Sequence, residues 1–258
     1  MTDRTGTVTG EAPALRLDEL GRKGYRILQD PAAFCFGMDA VLLADFVRAK
    51  KTDRVIDLGT GNGILPLLLD ARDRGGSFEA LELQPEAAAL ARRNVSLNGC
   101  EDRIRVTEGD IREASRLFGR SRFEVVVTNP PYMPAESGLV NPASARAIAR
   151  HELCCRLEDV LREAAALLVP GGEFFMVHRP ERLGDICRLM RDYGLEPKEL
   201  RFAYSFPDSP AELLLVRGKR GGRPFLQVDP PLIINREKGV YTDEVYEMYF
   251  GRPREEKR

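Results

Sequence analysis

Histidine, tryptophan and cysteine are scarce in this 258-residue chain, which holds 2, 0 and 5 of them. The cysteine number is odd and no pair is spaced C-x-x-C, which argues against a disulfide framework. With so few histidines, a zinc module or His-rich metal site is equally disfavoured. No apolar run approaches the roughly 20 residues that a membrane-spanning helix needs. Met1 to Gly10 are polar and lack the apolar stretch of a signal peptide. Charge of one sign is missing as well, with 39 Lys+Arg against 40 Asp+Glu. Any contact with nucleic acid must therefore come from a local basic patch. What is left is a soluble, cytoplasmic protein of α/β or α+β class, without metal or membrane, and long enough for one large domain with an appendage.

Residues 1–14 are small and polar and read as a flexible arm. Leu15 to Asp30 show no sustained period. Met38 to Ala49 form a helix with a wide apolar face and Asp39 in its first turn. A rhythm then sets in. Arg54–Leu58, Phe78–Leu83, Arg103–Thr107 and Phe123–Val127 read as strands, starting about 20–25 residues apart with a helix between each pair. That spacing demands right-handed βαβ units and a parallel sheet. A further helix from Leu157 to Leu168 stops at Pro170-Gly171-Gly172, and Glu173 to Val177 is a fifth strand. After a helix over Arg182 to Tyr193, Leu200 to Ser205 and Glu212 to Val216 are too close for a crossover and must pair antiparallel. The predicted architecture is α/β and doubly wound: a mostly parallel seven-stranded sheet, helices on both faces and an antiparallel edge hairpin. Residues 15–217 make this domain; 218–258 form a basic loop and a carboxyl-terminal extension packed on it, with a last helix near Asp243 to Phe250.

Asp57-Leu-Gly-Thr-Gly-Asn-Gly63 places Gly59, Gly61 and Gly63 between a buried strand and a buried helix. Glycine there lets a ligand approach the backbone, at the strand end where doubly wound sheets bind cofactors. The spacing is G-x-G-x-G rather than G-x-G-x-x-G, which suits a ligand without a pyrophosphate. Glu82, at the end of the second strand, can take both hydroxyls of a ribose or stand as a solvated carboxylate. Asp110, after the third, can accept from an adenine amine or cap a helix. The fourth strand runs into Thr128-Asn129-Pro130-Pro131-Tyr132. Its prolines stiffen the turn and leave the Asn129 amide and the Pro130 carbonyl as acceptors. Two acceptors gripping a delocalised amine turn its lone pair towards an electrophilic methyl, while Tyr132 stacks on the planar substrate. No strong base is needed, so scarce histidine is no obstacle, and His151 and His178 read as structural or hydrogen-bonded. No cysteine lies between Cys100 and Cys154, which excludes cytosine C5 methylation, and Cys154-Cys155 read as packing residues.

In combination these motifs resemble the Rossmann-like class I S-adenosylmethionine-dependent methyltransferases that act on exocyclic or amide nitrogen. Ile27 to Asp30, Phe36 to Ala44, Leu81 to Pro85, Asn129 to Tyr132, Ala149 to Glu152, His178 to Glu181, Val228 to Leu232 and Tyr241-Thr242 are similar to the bacterial tRNA1(Val) adenine-N6 methyltransferase family. The resemblance implies that Gly59, Gly61, Gly63, Glu82 and Asp110 contact S-adenosylmethionine, with Phe36 and Asp39 closing the pocket. Asp57, Leu83, Ile111 and Asn129 are expected in the same pocket. It also implies that Asn129, Pro130 and Tyr132 are catalytic and hold a flipped adenine, with Pro131 beside it. The link Phe206 to Ala211 departs from the pattern by lacking basic residues. A tRNA substrate needs phosphate contacts. Arg217, Lys219, Arg220 and Arg223 are the candidates, followed by Arg22, Lys23 and Arg26; a solvated charge run is the rival in each case. The rival substrates are a ribosomal guanine N2 and a protein glutamine N5, the latter disfavoured by the absence of a helical domain before residue 38. From a different class, a non-catalytic nucleotide-binding module and an NAD-dependent oxidoreductase are further alternatives, the latter opposed by the glycine spacing and by the lack of a Tyr-x-x-x-Lys or His-based hydride chemistry. The assembly is a monomer or a homodimer.

Overall fold

The computed structural model describes residues 15–31, 36–130 and 156–253. It opens with an antiparallel hairpin of β1 (Arg16–Glu19) and β2 (Arg26–Gln29), followed by α1 (Met38–Phe46). The alternating part runs β3 (Arg54–Leu58), α2 (Ile64–Ala71), β4 (Ser77–Glu82), α3 (Pro85–Leu97), β5 (Ile104–Glu108), α4 (Ala114–Phe118) and β6 (Phe123–Thr128). It continues with α5 (Leu157–Leu167), β7 (Leu168–His178), α6 (Leu183–Asp192), β8 (Leu195–Tyr204) and β9 (Ala211–Arg220). The tail adds β10 (Gln227–Val228), β11 (Leu232–Ile233), a hairpin of β12 (Asn235–Glu237) and β13 (Val240–Tyr241), and α7 (Asp243–Phe250).

Seven strands lie in the order β5-β4-β3-β6-β7-β9-β8, parallel from β5 to β7, with β9 antiparallel to both neighbours. The expected sheet is present, and two short strands extend it: β10 and β11 pair in turn with the outer edge of β8 and bring the total to nine. Two-residue strands carry too little alternation to be read in advance. Alternation along β7 sorts the core: Phe175 and Val177 pack on the layer of α1, α2, α3 and α7, Phe174 and Met176 on that of α4, α5 and α6. All eight residues of α2 are buried, so it is a core helix in spite of its place between two strands. The strand order reverses between β3 and β6, which opens a crevice at their carboxyl ends. The buried Thr128 hydroxyl donates to the Leu58 carbonyl at 2.8 Å and pins those two ends together.

The β1–β2 hairpin has no readable period because each strand is four residues long, and its neighbour is a helix, not a strand. Asn94 Oδ1 accepts from Leu28 N at 2.7 Å, and its Nδ2 donates to Leu28 O at 3.0 Å. One turn later Asn98 does the same to Arg26, at 2.8 and 2.7 Å. The helical rise over four residues, about 6 Å, matches the advance of two residues along a strand, so two asparagines on α3 imitate a sheet edge. Asn98, which caps the carboxyl end of α3, has this second task. Asn94 also donates to the Asn62 carbonyl at 2.9 Å, which couples hairpin, helix and glycine turn. Asp70, Tyr25 and Arg103 tie the other end of the hairpin to the sheet, with Asp70 accepting at 2.6 Å from the Tyr25 hydroxyl and at 2.9 Å from Arg103 Nε.

Asn94→Ala leaves Leu28 N–H and two carbonyls without these partners and is expected to cost about 2–4 kcal/mol. Urea unfolding at neutral pH measures it, and a loss below about 0.5 kcal/mol would show that water replaces the clamp.

Candidate active site at the carboxyl rim of the sheet

Between β3 and α2 the backbone takes positive φ at Gly59, Gly61 and Gly63, at 79°, 58° and 85°. At Gly63 a Cβ would stand 3.3 Å from the Ala91 Cβ, so glycine allows α3 to close on the turn. At Gly61 nothing lies within 4 Å of where a Cβ would be; this face of the turn is open and a side chain would fill it. Beneath, Glu82 holds the turn, its Oε2 accepting from Gly61 N at 2.8 Å and its Oε1 from Gln84 N at 2.9 Å. Glu82 is 2% exposed and Asp57 is 1% exposed. Neither Asp57 oxygen has a hydrogen bond of acceptable geometry, and the buried Thr60 hydroxyl is equally unsatisfied. Burial pushes the Asp57 carboxyl up to about 7, against the pull of Thr60 and with the repulsion of the Glu82 charge.

A buried acid with orphaned oxygens, a second acid beside it and an open glycine cradle repel a pyrophosphate and suit a nucleoside that carries cationic groups. S-Adenosylmethionine has that chemistry, and Gly59, Gly61, Asp57 and Glu82 are the residues that would hold it. Ile111 lies over the turn, its Cδ1 3.6 Å from where a Cβ of Gly59 would be. Leu83 is half-exposed beside Glu82. Asp110 takes the capping role: it accepts from Arg112 N at 2.8 Å and pairs with the Arg112 guanidinium, which holds its carboxyl below the usual range.

From the other side, Phe36 N donates to Gln29 Oε1 at 2.9 Å, so the end of the hairpin delivers the chain to the crevice. Asp39, in the first turn of α1, then meets Asn129: Asn129 Nδ2 donates to Asp39 Oδ2 at 3.1 Å across 90 residues of sequence. Pro130 follows at the rim and lines a cavity of about 450 Å³ with Leu58, Gly59, Ile111, Leu157 and His178. His178 ends β7 as Asn129 follows β6. Its Nδ1 accepts from Arg179 N at 2.8 Å, and burial with the nearby Arg182 charge lowers it to about 4, so it is neutral at pH 7. The sequence reading of His178 as hydrogen-bonded agrees; what it missed is that the ring lines the cleft, a position its place at a strand's carboxyl end already signalled. Pro131, Tyr132, His151, Cys154 and Cys155 lie outside the described residues.

The basic cluster requires correction. Lys219 pairs in register with Glu173, which is level with Val125 in the first half of β6, so Lys219, Arg220 and Arg223 lie towards the amino rim, whereas Arg217, opposite Phe175, is level with Val127 near the carboxyl end of β6. Arg217, with its side chain 18% exposed, is bound by Glu173 and Glu199, both at 2.8 Å. Arg220 donates to Ser121 Oγ and to the Leu168 carbonyl. Neither guanidinium can turn to a phosphate without giving up these partners. Arg22 and Lys23 are also engaged: Arg22 donates to the Glu247 carbonyl at 2.8 Å, and Lys23 pairs with Asp73 at 2.7 Å. Among the described residues no group of His, Cys, Asp and Glu could hold a metal ion, and no helix is long and apolar enough to cross a membrane.

Because Asp57 binds its proton more tightly folded than unfolded, the stability this provides is full below about pH 4 and is lost as pH rises through about 7. Asp57→Asn is expected to raise the melting temperature of ligand-free protein at pH 8 and to flatten its decline between pH 5 and 8, read by thermal denaturation. Gly61→Val is expected to abolish binding of S-adenosylmethionine in calorimetry.

The sequence model of the methyltransferase small domain family matches residues 24–186. The chain is 30% identical over 227 residues to a tRNA1(Val) (adenine(37)-N6)-methyltransferase of Aeromonas salmonicida, covering 88% of this chain and 93% of that one. A protein of the same name from Porphyromonas gingivalis is 30% identical over 233 residues, with 86% and 89% covered. Among solved structures, a predicted O-methyltransferase of Agrobacterium tumefaciens superposes with a TM-score of 0.67 at 27% identity, over 84% of this chain and 98% of that chain. Pyrococcus horikoshii TYW2 in complex with MeSAdo shares the fold at a TM-score of 0.55 and 15% identity, over 82% and 73%. The chain belongs to the methyltransferase small domain family, and its activity is S-adenosylmethionine-dependent methyl transfer.

Proposed function

We propose that the protein methylates N6 of an adenine in RNA, in the anticodon loop of a tRNA of the Val type. The observation that carries the reading is the Asn129–Asp39 hydrogen bond. An amide that donates through Nδ2 to a carboxylate turns its Oδ1 to the other side, so Asp39 orients Asn129 as an acceptor. The Pro130 carbonyl, on a residue that cannot donate from its nitrogen, supplies a second acceptor at the same rim.

Adenine N6 is a poor nucleophile because its lone pair is delocalised into the ring. Asn129 Oδ1 and Pro130 O accept its two hydrogens and draw the nitrogen towards a tetrahedral shape, which frees the lone pair in one direction. S-Adenosylmethionine bound at the glycine turn supplies an electrophilic methyl group. The methylated nitrogen is strongly acidic and yields its extra proton to water, so the site needs no base, and neutral His178 is consistent with that. To reach Asn129 the base must leave its stack, at a cost of a few kcal/mol that is least in a loop. The relatives from Aeromonas salmonicida and Porphyromonas gingivalis, both named as tRNA1(Val) (adenine(37)-N6)-methyltransferases, support adenine 37 of tRNA1(Val) as the specific target.

The test is methylation with labelled cofactor of separated tRNA, ribosomal RNA and release factor, followed by nucleoside and amino-acid analysis. N6-methyladenosine in tRNA is expected; N2-methylguanosine or N5-methylglutamine as the sole product would overturn the reading. Asn129→Ala is expected to lower kcat by roughly 10²–10³ with cofactor affinity retained, since it removes one of two polar contacts to the reacting group.

A further inference from the structure

With Arg217 and Arg220 held by partners within the fold and Lys219 and Arg223 towards the amino rim, the backbone of an RNA substrate needs other cations, and the wall of the cleft itself carries them. The cavity that contains Gly59, Ile111 and Pro130 is bounded by Arg182, in the turn before α6, and by Arg188 within that helix. Arg156, at the amino end of α5, lines it as well. Arg188 follows Arg182 by six positions of largely helical chain, roughly 9 Å of rise, and both long side chains line the same cavity, where they can reach neighbouring phosphates of an unstacked strand.

Two carboxylates line the same cavity, Glu158 and Asp185, against three guanidinium groups, so this wall is net positive. Glu158 already accepts from the Tyr193 hydroxyl at 2.7 Å. Arg182 pairs with Asp185 at 3.0 Å, the side chains 38% and 54% exposed, and Arg188 with Asp192 at 2.8 Å, 63% and 53% exposed. Ion pairs this wet stabilise little and are screened by salt. A phosphate, which an arginine fork binds bidentately, can take the place of either carboxylate. The contrast with Arg217 and Arg220 is physical: those two are committed within the sheet, whereas Arg182 and Arg188 lose almost nothing by changing partner.

We infer that Arg182 and Arg188 grip the phosphates flanking the target nucleotide, so that its base enters the cavity towards Pro130 and Asn129. This deepens the RNA reading and rests on it.

The test compares wild-type protein with the Arg182→Gln/Arg188→Gln double variant on tRNA, measuring KM, kcat, cofactor affinity and the salt dependence of RNA binding. KM for RNA is expected to rise about tenfold with kcat and cofactor affinity little changed. The slope of log K against log salt should fall by roughly 0.7 for each arginine removed, the single-strand value. Unchanged KM and slope in the double variant, while wild type still forms N6-methyladenosine, overturn the inference and leave the adenine reading standing. A fall in kcat alone, or an equal loss of RNA affinity in Lys219→Gln/Arg223→Gln at the opposite rim, overturns it too. Wild-type protein that methylates no RNA removes both readings at once.

Discussion

The reversal of strand order between β3 and β6 is the constraint on which the rest depends. The strand that comes after β3 in the chain, β4, lies on one side of it, and β7, which comes after β6, lies on the other, so a crevice opens between the carboxyl ends of β3 and β6. The Thr128 hydroxyl on the Leu58 carbonyl holds the two ends in register, so Gly59 and Asn129 leave adjacent strands side by side. A glycine turn with buried acids is thereby set next to a rigid pair of acceptors. In the proposed reaction neither feature could act alone: the first would hold a methyl donor, the second a nitrogen.

The amino-terminal hairpin gives the crevice its third wall. It is docked by side chains rather than by a sheet, through Asn94 and Asn98, and Asn94 also reaches the glycine turn. Gln29 at the hairpin's end receives Phe36, and two residues beyond Gly37 the chain brings Asp39 to Asn129. Thus a segment with no independent core positions the residue that orients the acceptor amide. The tail reinforces this layer from behind: Val245 and Met248 of α7 share a core with α1, and Arg22 and Arg72 hold the carbonyls at its carboxyl end.

Charge divides into two kinds along this chain. Arg217, Glu173, Glu199 and Arg48 form an internal network on the sheet, where removing one member would strand a buried partner. The arginines of the cleft wall are paired in water and can exchange their partners. In sequence both sets look alike, short runs of cations among acids, because exposure and pairing are properties of the folded chain.

Much of the fold was legible. Strand spacing announced a parallel sheet, the short gap before Glu212 announced an antiparallel partner, and α2 and α7 fall where the apolar pattern places them. The acceptor motif and the glycine turn were legible too, since each needs residue types that few other purposes demand together. The β1–β2 hairpin, β10 and β11 were not, because strands of two to four residues hold no period and take their partners from distant parts of the chain. By itself the sequence determined the layer architecture, the chemistry of the two motifs and the kind of cofactor they suit, because these depend on local pattern and residue type. Only tertiary structure decided that Asp39 meets Asn129, that His178 lines the cleft and that Arg217 and Arg220 are committed within the sheet, because each depends on which parts of which strands stand together.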